Sequence, residues 1–160
     1  MATYQGSTRT NYFKVINENA FTKLIDLCGT DDPDGVSLWT NETQDGVKRY
    51  GFGCYGDISG IPIESAENSE GGCENEREDE YEDEDVEYDY DAFIKELQKL
   101  LPESEAVIIT HTGHEKLRYL VGSITVVTRD EVEYQSLSDV ALQTAREMLG
   151  NPHWTTKDSY

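Results

Sequence analysis

Between Glu64 and Asp91 the chain holds 15 acidic side chains and a single basic one, Arg77, a balance of −14. No hydrophobic core accepts such a run, because each buried carboxylate needs a paired charge or several hydrogen bonds. Any fold must therefore be assembled from the two flanks, with this stretch carried as an insert. The remaining 132 residues hold 18 acidic and 12 basic side chains, a balance of only −6, so the flanks resemble an ordinary domain. The whole chain is 160 residues, which suits one domain. Its hydrophobic fraction of 36% lies below the roughly 45–50% usual for globular domains, as expected if part of the chain builds no core.

Periodicity supplies the elements. Tyr12-Phe13-Lys14-Val15 alternates and predicts a strand, while residues 1–9 read as a flexible tail. Phe21, Leu24, Ile25 and Cys28 fall at i, i+3, i+4 and i+7, one face of a helix stopped near Gly29. Val36–Thr40 and Val47–Phe52 predict a hairpin closed near Asp45-Gly46. Beyond the insert, Phe93, Ile94, Leu97, Leu100 and Leu101 form a second helical stripe ended by Pro102. Ala106–Thr110 and Leu117–Thr128 predict another hairpin turning at Thr112-Gly113, and Val132–Gln135 one more strand. Ser136 or Ser138 caps a last helix ending at Gly150, with 151–160 as a second tail. The expectation is a single α+β domain over 10–150 with the acidic insert at 64–91. Its sheet is mostly antiparallel, of five to six strands, with two to three helices on one face.

Function classes narrow quickly. A net charge of −20 opposes direct binding to nucleic acid or anionic lipid, which need a basic footprint, and favours a basic partner. No run approaches about 18 apolar residues and no signal-like stretch opens the chain, so a cytoplasmic protein is expected. Cys28, Cys54 and Cys73 are odd in number, lack C-x-x-C spacing, and read as free thiols. His111 and His114 flank the expected turn without the further ligands of a zinc site. The alternating acids Asp83, Asp85, Glu87, Asp89 and Asp91 lack the glycine of a calcium loop. Gly51, Gly53 and Gly56 lack the lysine and helix of a phosphate loop, and no catalytic motif occurs. No enzyme, metal or cofactor is therefore expected.

From Glu74 to Asp91 the insert holds 12 acids in 18 residues. Such a run repels itself and is plainly read as solvated chain. Tyr81, Val86, Tyr88 and Tyr90 interrupt it, and solvating tracts have few aromatics. These rings either give rigid contact area to a partner's Arg and Lys or pack on the following helix. Duplex DNA carries a charge per about 1.7 Å of axis. A helical 18-residue run would span about 27 Å at comparable density.

A compact α+β domain, a −20 charge and an aromatic-interleaved acidic stretch together resemble the small acidic inhibitors of phages and mobile elements, namely antirestriction DNA mimics and acidic anti-CRISPR proteins. The resemblance is one of overall character and transfers no residue's role. It implies a non-enzymatic inhibitor in a bacterial host cell that occupies the nucleic-acid-binding surface of a restriction- or CRISPR-type protein. The expected contacts are then Glu78, Asp79, Glu80, Glu82, Asp83, Glu84, Asp85, Glu87, Asp89 and Asp91, anchored by Tyr81, Tyr88 and Tyr90. The alternative is an acidic adaptor for a basic protein without mimicry.

Overall fold

The computed structural model describes residues 4–44, 46–63, 86–115 and 119–155. In chain order the elements are β1 (Gln5–Thr10), α1 (Glu18–Asp26), β2 (Gly29–Thr30), β3 (Ser37–Glu42), β4 (Lys48–Tyr55) and β5 (Ile58–Pro62). After the acidic stretch come β6 (Tyr88–Asp89), α2 (Tyr90–Lys99), β7 (Ala106–Glu115), β8 (Tyr119–Thr128), β9 (Val132–Ser136) and α3 (Leu137–Leu149). A six-stranded sheet runs β3-β4-β1-β7-β8-β9, antiparallel throughout, and a small sheet runs β2-β5-β6. This is the α+β domain expected. No helix among the described residues is long and apolar enough to cross a membrane.

Both flanks build one core. Phe13, Phe21 and Phe52 from before the insert and Phe93, Leu97, Val107 and Val127 from after it are wholly buried. Their rings meet edge to face, Phe13 on Phe21 at 5.5 Å and Phe52 on Phe93 at 6.0 Å between centroids. The helices start where their caps allow. Asn17 accepts from the Ala20 amide, Asp89 from Ala92 and Ser136 from Asp139, each satisfying an otherwise orphaned donor. The stripes Phe21, Leu24, Ile25 and Phe93, Ile94, Leu97 then lay α1 and α2 on one face of the sheet. α3 instead sets Leu137 against Gly122 on the opposite face.

Three expectations fail. The tail expected over 1–9 is a strand from Gln5 onward, paired between β4 and β7. It carries no large apolar side chain, so its alternation was invisible. Its inward residues are Thr8 and Thr10, buried with hydroxyls donated to the Gly56 and Phe52 carbonyls. Tyr12–Val15 is not a strand; Phe13 alone bridges to Tyr50.

The turn placed at Thr112-Gly113 is also absent, since β7 runs straight through and pairs with β8 as far as Glu115 and Tyr119. Gly113 is there for a different reason: a Cβ would collide with the Tyr4 ring. His111 and His114, three apart in a strand, consequently face opposite sides of the sheet.

Candidate functional site

The described chain stops at Ile63 and resumes at Val86, and the residues on either side of the acidic stretch are tied together. Ile61 pairs with Asp89, Pro62 with Tyr88, and the Ile63 amide donates to the Glu87 carbonyl at 2.9 Å. Gly60 makes this closeness possible. Its φ of +111° is hostile to other residues, and a Cβ there would strike the Asp89 carbonyl. The residues that flank positions 64 to 85, a segment with 12 acids and Arg77, are thus held side by side.

The expected contact residues divide. Glu78, Asp79, Glu80, Tyr81, Glu82, Asp83, Glu84 and Asp85 lie outside the described residues. Glu87 and Tyr88 face solvent, though the Tyr88 ring covers Gly29. Asp89 spends one carboxylate oxygen on the α2 cap. Tyr90 turns inward, 6.1 Å from the Phe93 ring, with its hydroxyl 3.5 Å from the Thr125 hydroxyl. Asp91 is exposed and accepts from the Tyr134 hydroxyl at 3.3 Å. Tyr90 therefore packs on the fold while its ring also reaches the adjoining cleft.

Beside Tyr90 the sheet opens into a cleft of about 560 Å³, lined by Thr8, Asp57, Tyr90, His111, Ser123, Thr125, Tyr134, Ser136 and Asp139 among others. His111 organises its floor. Nδ1 lies 2.9 Å from an Asp57 carboxylate oxygen and 3.0 Å from the Thr8 hydroxyl, while Nε2 lies 3.0 Å from the Tyr4 hydroxyl. The Thr8 hydroxyl already donates to Gly56, so toward His111 it accepts. Nδ1 is accordingly the protonated nitrogen and Tyr4 donates to Nε2.

The phenols around this cleft stay protonated. Burial, aided by the charge of Asp57, raises Tyr4 and Tyr90, and burial aided by Asp91 raises Tyr134. The cleft therefore offers carboxylate oxygens, hydroxyls and aromatic faces, and among the described residues no Lys or Arg lines it. That chemistry suits a cation.

Both ring nitrogens of His111 are committed to neighbours, so the ring has no open position toward a nucleophile in this arrangement. Burial pushes the Cys28 thiol up to about 12 and raises Cys54 as well, which keeps both as thiols. No group of three His, Cys, Asp or Glu among the described residues is arranged to hold a metal ion.

The acidic stretch was visible in the sequence, but the cleft was not. Tyr4, Asp57, His111, Tyr134 and Asp139 come from separate segments, and Tyr4 and His111 are 107 positions apart. Only topology brings them together. Comparison with models of known protein families, with curated proteins and with solved structures gives no match.

Proposed function

We propose that the protein is a non-enzymatic inhibitor that binds the nucleic-acid-binding surface of a defence protein, of restriction or CRISPR type, in a bacterial cytoplasm. The observation that carries this reading is the concentration of charge: −14 of the total −20 lies between Glu64 and Asp91. A Lys/Arg surface that neutralises phosphates accepts a comparable line of carboxylates, and the attraction steers the encounter from a distance. The tied ends at Ile63 and Glu87 support it, since a charge-bearing stretch joined to a fixed base loses less freedom on binding than a free tail.

The alternative, an acidic adaptor for a basic protein, is favoured by one observation. The cleft beside the base, with Asp57, Tyr134 and Asp139, suits a single cationic side chain, which a protein surface presents and a phosphate mimic does not require.

One experiment separates them. The protein is used as bait in a bacterial lysate at low salt, and captured material is eluted with duplex DNA. The inhibitor reading expects release of a nucleic-acid-binding protein by DNA. A basic protein that DNA does not release supports the adaptor. Replacing the ten acids from Glu78 to Asp91 by Gln or Asn should abolish capture in either case; capture undiminished by that replacement sinks both.

A further inference from the structure

The outer face of the six-stranded sheet is nearly free of acid. The twenty outward positions of β1, β3, β4, β7 and β8 include Arg9 and Arg49 and no Asp or Glu, in a chain with 33 acids among 160 residues. Seven of the twenty are apolar, among ten polar or charged side chains and three glycines. Trp39, Ile108, Leu120 and Ile124 stand exposed there, Leu120 at 65% and Ile124 at 38%. The Arg9 guanidinium carbon lies 5.2 Å from the centre of the Trp39 ring, a cation–π contact within the face.

Along one margin of this face runs α3, whose 13 residues include no buried side chain. Leu137 and Val140 line a narrow apolar slot of about 210 Å³ with Ile124 and Gly122. A helix of that length is marginal in water unless its apolar stripe is covered. Leu137 at 66%, Met148 at 83% and Leu149 at 59% exposure remain uncovered.

We infer that this face, with α3, is the interface of a symmetric homodimer. Charge identifies the occupant. Two copies at −20 each repel wherever acids meet acids, and the five strands β1, β3, β4, β7 and β8 form the broad face where they do not, with Glu133, Asp139 and Glu147 on its β9–α3 margin. A two-fold pairing of like faces sets Trp39, Ile108 and Ile124 against their own counterparts. It also leaves the base of each acidic stretch outward, because β5 and β6 lie on the α1 and α2 side of the sheet.

The area is adequate. Five strand spacings of about 4.8 Å by about 20 Å of strand, together with α3, come to about 700 Å² per copy, close to the roughly 800 Å² per partner of a standard interface.

Sedimentation equilibrium of the full chain over a wide concentration range tests this. The expected mass is twice 18.1 kDa. The dimer should tighten with added salt, because screening removes repulsion between like-charged copies. Binding through the acidic stretch should weaken under the same salt, so the two associations are told apart. Ile124→Glu should raise the dimer dissociation constant at least tenfold. Thr112→Glu, on an exposed side chain of the same face, should do the same without touching the core. A monomer at every concentration and salt, or a dimer that survives both substitutions, overturns the inference. So does a monomeric protein that still captures its basic partner, an outcome that leaves the proposed function standing.

Discussion

The two faces of the six-stranded sheet are made by alternate residues of the same strands, yet they have opposite fates. Ile108 and Ile109 are adjacent and chemically identical; the first is 40% exposed and the second 3%. On one face Phe52, Ile109 and Val127 lie beneath α1 and α2, while on the other Ile124 meets Leu137 and Val140 of α3 and Trp39 and Ile108 stand exposed. Apolar content thus did not decide which face became core. The inner face even buries Thr8, Thr10 and Thr125, whereas isoleucine and tryptophan remain outside. What decided it was where the two amphipathic helices return, because a strand's alternation marks two faces and does not rank them.

Substituting the two isoleucines breaks the comparison most directly. Ile109→Ala should cost about 2–4 kcal/mol, since a buried aliphatic side chain leaves a cavity. Ile108→Ala should cost less than about 1 kcal/mol in the unassociated protein, as for other exposed positions. Denaturant unfolding of dilute protein measures both, and equal losses would mean that the outer face is core as well.

A smaller effect, of about 1–3 kcal/mol, is expected for Gly60→Ala, which places a Cβ at positive φ against the Asp89 carbonyl. The damage should be local. Amide exchange at Ile63, which donates to Glu87, should quicken, while the amides of β7 and β8 keep their protection. Uniform loss of protection would show that the β5–β6 pair supports the whole domain rather than the base of the acidic stretch.

The least effect concerns pH. The Cys28 thiol titrates near 9 in an unfolded chain and is pushed up to about 12 by burial and the nearby Cys54. Above pH 9 the unfolded state therefore releases a proton that the folded state keeps, and stability falls as pH rises toward 12. Thermal unfolding between pH 8 and pH 10.5 should show this slope, and Cys28→Ala should flatten it; an unchanged slope would assign the loss to other groups.

Much of this fold was legible because much of it is local. The stripes of α1 and α2, the Ser136 and Gly150 caps of α3 and the β3–β4 hairpin each rest on residues within one or two turns of each other. β1 escaped because threonines fill its inward positions, and β7 was cut short because Thr112-Gly113 resembles a turn until Tyr4 is placed over Gly113. β2, β5 and β6 are too short, or too rich in glycine and proline, to show a period. In the candidate site the acids were countable, but Tyr90, expected as a partner's anchor, lies against Phe93.

The sequence by itself determined that charge and core would be separate, because an acidic run of this density is insoluble in any apolar interior and the flanks hold the amphipathic stripes. Tertiary structure alone decided which sheet face is buried, where the acidic stretch is tied, and that Tyr4, Asp57 and His111 meet. Side-chain periodicity is a local property of the backbone, whereas the partner of each face is set by chain topology over a hundred residues.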